Sequence, residues 1–308
     1  MSAHAATAPR RHGLSVLESN QRLGRYMLAP AIIYIALLVG FPFLLSIYYS
    51  LSDATVSNQT LHFVGLENFQ RIMQDNTFWL STSNTFVFTI ASQVLVVILA
   101  TILAMALYGD FRGKWLVRLL ILLPWVAPIS LGTIGWLWIF DPVYSVINWT
   151  MRALGLIDAH TWPIWLGQPD LAMASIILVD VWRLLPLATV IVLAGLSGIP
   201  QDIHDASAMD GAGFWRTMFR IDVPLLTPVV LVALLFGIVF TFTDMIIVYV
   251  LTRGGPYNTT QVLASLSFFT GIPGGDLGEG AAISLFLFPL LVAVVILLLT
   301  IARRVEVA

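Results

Sequence analysis

The chain has 308 residues, of which 58% are hydrophobic and only 10% charged, with a formal net charge of −2. A mean hydropathy of +0.90 excludes an ordinary soluble domain, whose charged fraction is about 25%. There is no cysteine, which excludes disulfides, thiolate metal sites and cysteine nucleophiles.

The first 26 residues are small, polar and basic, with Arg10, Arg11, Arg22 and Arg25. Arg10–Arg11 is reminiscent of a twin-arginine leader. The apolar run that follows is too long for a leader core, so an uncleaved membrane helix is expected. Runs of 18 or more apolar residues are long enough to cross the bilayer. Six are present, at about 27–51, 84–108, 115–140, 170–198, 225–250 and 280–302. The first contains Pro42 and the third Pro124 and Pro128, which neighbouring helices in a membrane protein can accommodate. The expected fold is therefore an all-α integral membrane protein. A tail at 1–26 precedes a six-span domain at 27–302, and a short tail follows at 303–308.

The connections differ in character. Residues 52–83 are polar, with a short surface helix expected to start near Val64–Phe69. A basic turn holds Arg112 and Lys114. The 141–169 loop carries Trp149, Trp162 and Trp165, aromatics suited to the headgroup level. The 251–279 loop is glycine-rich. Placing the N-terminus in the cytoplasm puts eleven of the 15 Lys and Arg on the cytoplasmic side, counting Arg118 at the inner end of the third run, and three in outer loops, with Arg183 deep inside a span. That bias fixes the orientation by the positive-inside rule, with both termini inside.

Residues 199–224 form a polar stretch, closed by Pro200 and Pro224, between two apolar runs. Two short helices are expected. Pro200 suits a first helical turn, and Asp202 and Asp205 complement the positive end of the dipole. Gly211 permits a turn at positive φ, and a second helix runs from about Gly213 to Arg220, carrying Arg216. Pro224 marks re-entry into the bilayer. Three aspartates disfavour contact with an anionic inner leaflet, so the stretch is read as a docking surface for another protein. The chain has no G-x-x-x-x-G-K-[ST] phosphate loop, so ATP, if it drives this protein, is bound elsewhere.

Ionisable side chains inside spans are costly and are functional candidates. Here they are Asp180 and Arg183 in the fourth span and Asp244 in the fifth. Gln93 on the second span and Thr133 on the third fall at a similar depth, in the outer half of the membrane. Asp180 and Arg183 are three apart on one helix face and can pair, either as a structural brace or as part of a pathway. Asp244 either lines a cavity or faces another subunit. An ion relay through these three residues is the rival reading. His4, His12, His62, His160 and His204 lack metal-ligand spacing, and no catalytic cluster is present, so neither a metal site nor an enzyme is expected.

Asp205-Ala206-Ser207-Ala208-Met209-Asp210-Gly211-Ala212, followed by Ile221 and Pro224, resembles the E-A-A-x-x-D-G-A…I-x-L-P motif of bacterial ATP-binding-cassette (ABC) importer permeases, in the carbohydrate (MalF/UgpA-like) branch. Asp205 replaces the usual Glu, Ser207 the second Ala and Val223 the Leu. Leu251-Thr252-Arg253-Gly254-Gly255-Pro256 is similar to the family's L-T-x-G-G-P. With the six-run layout the resemblance covers nearly the whole chain, and its pattern lies near the SugA-type permeases of mycobacterial trehalose importers.

The resemblance implies a type I importer permease fold. It implies that Asp205, Ala206, Ser207, Asp210, Gly211, Ala212, Arg216 and Pro224 belong to a coupling-helix hairpin seated in a cytoplasmic ATPase. Two such ATPase subunits would carry ATP and Mg²⁺, with no cofactor on this chain. A second homologous permease and an extracytoplasmic sugar-binding (lipo)protein complete the expected assembly in a bacterial cytoplasmic membrane. The implied cargo is a disaccharide such as trehalose, with another carbohydrate or glycerol phosphate as the alternative. Trp136, Trp182, Phe240 and Phe242 lie near the polar layer and could offer stacking faces to a sugar, although aromatics on membrane helices more often face lipid or core.

Overall fold

The computed structural model describes residues 12–58, 61–158 and 162–306; Arg10–Arg11, His4 and His160 lie outside them. Among the described residues there are helices and two isolated bridges but no strand. Five helices are long and apolar enough to cross a membrane, and a sixth crossing is made if one bent pair counts as a single span.

The first span is α1 (His12–Ile35), a π turn at Ala36–Gly40 and α2 (Phe41–Ser50). Proline removes one i→i−4 hydrogen bond and pushes on the carbonyl a turn earlier. The wider π turn before Pro42 absorbs that conflict without a break, and the Phe41 N–H bonds the Ala36 carbonyl. None of the most apolar window of this span is buried within the chain. α2 instead meets the last span through Phe43 and Phe288, whose rings lie 5.5 Å apart.

A short helix, α3 (Glu67–Gln74), caps the Ser50 end of the first span. Asn68 donates to the carbonyls of Ser50 and Ser52 at 2.9 and 2.8 Å. Arg71 reaches Asp276 at 3.2 Å and Glu279 at 3.4 Å, tying the cap to the last span.

The second span, α4 (Asn76–Tyr108), begins eight residues before the expected 84. Asp75 sets that start by accepting the Thr77 N–H at 2.8 Å, satisfying one of the free donors of a helix N-terminus. α4 packs along α8 (Pro169–Ser197) through Ala100, Ala188, Val96 and Leu184, small and branched residues that let two membrane helices approach closely.

The third span is not straight. α5 (Lys114–Val126) and α6 (Ile129–Ile139) meet at 96°. Pro128 cannot donate an N–H and drives Ala127 into extended backbone. The span expected at 115–140, with Pro124 and Pro128 inside it, is met by this bent pair: Pro124 lies within α5 and Pro128 at the break. α7 (Val146–Ala153) lies in the tryptophan-rich loop. There Trp165 donates to Asn148 at 2.8 Å and the Arg152 guanidinium sits 4.1 Å from the Trp162 ring centre.

After α8 come α9 (Gln201–Met209), α10 (Phe214–Thr217), a π turn at Met218–Asp222 and α11 (Val223–Phe242). The expected fifth span, 225–250, is corrected at both ends. It begins at Phe214 and stops at Phe242, and α12 (Ile246–Leu251) is a separate short helix. A glycine-rich turn leads to α13 (Leu263–Gly271), which doubles back against α14 (Leu277–Glu306), the last span. Asn84 on α4 holds this turn by donating to the carbonyls of Thr259 and Gln261, both at 3.0 Å.

Candidate functional site

Two regions hold the sequence-predicted residues. The first is a polar layer between α4, α8, α11 and the break before α12. Gln93 Nε2 donates to Thr241 Oγ1 at 2.8 Å, and Thr241 Oγ1 donates to Asp180 Oδ2 at 2.8 Å. A single file of side chains thus joins three spans. Asp180 is 0% exposed, and Gln93 and Thr241 are as fully buried. Gly237, one turn below Thr241, makes room for the file: a Cβ there would lie 1.9 Å from Gln93 Oε1.

Arg183 does not pair with Asp180 as the i, i+3 spacing allows. It pairs with Asp244, 61 residues away. The other carboxylate oxygen of Asp244 accepts the Ile247 N–H at 2.9 Å, so the same residue caps α12. Asp244 is placed for this because α11 ends at Phe242 and the chain turns before α12 starts. A buried pair of this kind is worth little against an apolar replacement, but either charge left alone costs several kcal/mol.

Thr133 does not join the layer. Its hydroxyl donates to the Ile129 carbonyl of its own helix at 2.8 Å. Trp182 lies beside α6, where a Cβ on Gly132 would meet its ring at 3.2 Å, and it meets Trp136 edge to face at 5.7 Å. Phe242 is buried against Phe86, which removes it as a stacking face. Phe240 remains partly exposed beside Trp125, at 5.5 Å. The residue that sequence reading missed is Thr241, the hub of the file. The available signal was its place three residues before Asp244, at the depth of Gln93 and Asp180.

The second region is cytoplasmic in the orientation expected from charge. α9 carries Asp205 and Ala206 on exposed positions, with Gln201 Nε2 donating to Asp205 Oδ1 at 3.2 Å. Pro200 stands just outside the helix as its N-cap, in extended backbone, rather than in the first turn. The helix ends in a Schellman turn: the Gly211 N–H bonds the Ala208 carbonyl and the Ala212 N–H bonds the Ser207 carbonyl, both at 3.0 Å. Gly211 has φ +70°, a conformation costly for any residue with a Cβ. Met209, at 89% exposed, and Asp210 stand at the tip of this turn.

Ser207, buried, shares a hydrogen bond of 3.0 Å with Thr217 across the hairpin. Its hydroxyl gives this departure from the motif a local role that alanine could not fill. His204 lies 3.8 Å from Asp222 and its ring centre 6.3 Å from that of Tyr108, tying α9 to the end of α4. The second arm is not an independent helix closed by Pro224. Phe214–Phe242 runs through as one span, because the π turn at Met218–Asp222 accommodates Pro224. Arg216 is exposed on this arm.

Residues 96–307 match the family model described as binding-protein-dependent transport system inner membrane component. The chain is 32% identical over 283 residues to the trehalose/maltose transport system permease protein MalF of Thermococcus litoralis, covering 92% of this chain and 94% of that one. It is 32% identical over 278 residues to the sulfoquinovosyl glycerol transport system permease protein SmoG of Agrobacterium fabrum, covering 90% and 89%. A chain of a bacterial alginate ABC transporter, solved in complex with an alginate pentasaccharide-bound periplasmic protein, superimposes with a TM-score of 0.81 at 19% identity, covering 96% of this chain and 98% of that one.

Proposed function

Because the chain belongs to the family of binding-protein-dependent transport system inner membrane components, the permease subunits of ABC importers, we propose that it carries a neutral disaccharide such as trehalose across a bacterial cytoplasmic membrane. As a member of this family it is a transport subunit and not an enzyme, and ATP and Mg²⁺ belong to separate ATPase chains. The proposed assembly has a second homologous permease, two cytoplasmic ATPase subunits and an extracytoplasmic sugar-binding protein. The relative named a trehalose/maltose transport system permease supports the substrate class.

The observation that carries the reading toward a neutral sugar is the Arg183–Asp244 pair. Arg183 is the only cation deep within the spans expected from sequence, Arg118 lying at the inner end of the third, and Asp244 neutralises it. An anionic cargo such as glycerol phosphate would need an uncommitted cation there. Gln93, Asp180, Arg183, Thr241 and Asp244 form the polar layer of the proposed pathway, with Thr133 a structural neighbour. Asp205, Ala206, Asp210, Gly211, Ala212 and Arg216 form the proposed ATPase contact. Ser207 and Pro224 shape that contact from within.

The test is uptake by the complete importer reconstituted with its binding protein, in competition with trehalose, maltose and glycerol phosphate. Trehalose should displace the labelled sugar at the lowest concentration and glycerol phosphate should not compete. Competition by glycerol phosphate alone would sink the neutral-sugar reading. In the same vesicles, collapsing the ion gradient at constant ATP should leave uptake unchanged; loss of uptake would favour the ion-relay reading.

A further inference from the structure

An apolar groove of about 660 Å³ runs between the last three turns of α4 and the arm that follows α9. Ile98, Thr101 and Met105 form one wall, and Trp215, Phe219 and Val223 the other. Trp215 and Phe219 are stacked at 6.0 Å and 14° between ring planes, and both stand exposed, at 67% and 61%. Aromatics held open like this are not core residues waiting for a neighbour in their own chain. They border a space that something outside the chain fills.

The rim of the groove is cationic. Arg216 and Arg220 follow Trp215 and Phe219 by one residue each and are four apart, so they flank the aromatic wall on the adjacent helix face. Both are exposed, and among the described residues neither has a carboxylate partner. The groove lies at the inner end of α4, next to Tyr108 and the basic turn holding Arg112 and Lys114. That depth is the cytoplasmic headgroup level in the orientation set by charge. The cytoplasmic leaflet carries anionic lipids, and each basic residue near its surface attracts them with about 1 kcal/mol. A phospholipid brings an anionic phosphate and an acyl chain together, which matches a cationic rim beside apolar walls.

We propose that this groove binds an anionic phospholipid of the inner leaflet, with an acyl chain along α4 against Trp215 and Phe219 and the headgroup phosphate on Arg220. The inference rests on the permease reading for its orientation only, and lipid binding is measured independently of sugar uptake. The site sits on the arm that carries the proposed ATPase contact into the fifth span, so an occupant there would brace that arm.

The experiment uses the complete importer in nanodiscs containing phosphatidylcholine and phosphatidylglycerol, each in turn carrying a photoreactive acyl chain at equal mole fraction. Cross-linked peptides are mapped by mass spectrometry. Phosphatidylglycerol should label 97–106 and 214–223 over phosphatidylcholine by at least about fivefold, the factor expected of one basic residue. Arg220→Gln, which lies outside the proposed ATPase contact, should reduce that preference by about fivefold. Phe219→Ala should lower labelling by both probes. Equal labelling by the two lipids in the unaltered protein would reduce the site to ordinary boundary lipid and overturn the proposal. Absence of lipid labelling at 97–106 and 214–223, with labelling elsewhere on the importer, would also overturn it. Normal uptake beside equal labelling would remove the lipid site and leave the transport reading intact.

Discussion

The polar layer and the cytoplasmic hairpin hold their candidate residues in opposite ways. In the layer, Gln93, Thr241 and Asp180 are buried and joined in one file across three spans. In the hairpin, Asp205, Asp210 and Gly211 stand on the outside of a turn that α9 closes with its own backbone. The layer is fixed by contacts between distant parts of the chain, and a change there propagates through packing. The hairpin is fixed locally, and its surface is free to meet a partner. A permease needs both: a region that stays registered while spans move, and a region that another protein can grip.

The comparison is broken most severely at Gly211. Gly211→Pro cannot adopt φ +70°, since proline fixes φ near −65°. The turn should be lost, and with it ATP-driven uptake, while the protein still reaches the membrane; uptake and membrane content of the variant measure both. Next in size is Arg183→Leu, which strands Asp244 beside α12. It should destabilise by about 3–5 kcal/mol, whereas Arg183→Leu with Asp244→Leu should recover most of that loss. Thermal unfolding of the purified importer over this double-mutant cycle gives the coupling, and additive losses would mean that the pair is not formed.

Smaller still is Gly237→Ala, whose new Cβ would land on Gln93 Oε1. Overpacking of this kind costs about 1–3 kcal/mol. The variant should gain stability when combined with Gln93→Ala, which vacates the space; no recovery would count against the close approach. The smallest contrast is between two threonines. Thr241→Val removes a hub with two side-chain partners and leaves buried polar atoms unsatisfied, a loss of about 1–3 kcal/mol. Thr133→Val removes one bond to its own helix and should change stability by under about 1 kcal/mol. Equal losses at the two sites would erase the distinction between a member of the layer and a neighbour of it.

This contrast also explains what the sequence made legible. The hairpin was readable because its determinants are short-range: Pro200, Asp202 and Gly211 each act within one turn of themselves. Four of the six apolar runs appeared as uninterrupted long helices, because length and hydropathy are properties of a window. Prolines were harder. Pro42 and Pro224 follow π turns inside continuous helices, Pro186, Pro228 and Pro289 sit inside α-helices, and Pro128 sits at a 96° bend, a difference that the residue type alone does not encode. The layer was read only as a depth. Arg183 had an obvious neighbour in Asp180 three residues away, and its true partner came from a chain break after Phe242 that the unbroken apolar run conceals.

The continuity of Phe214–Phe242 has a mechanical consequence. Twenty-nine helical residues make a rod of about 44 Å, with the proposed ATPase contact at one end and Thr241 at the other. A rod has low compliance along its axis, so a push on the hairpin reaches the far end as displacement instead of being spent in bending. Pivoting the rod by about 4° would carry Thr241 through about 3 Å, as far as a hydrogen bond is long. The lever stays in one piece through two prolines, Pro224 housed by the π turn and Pro228 inside α11 itself.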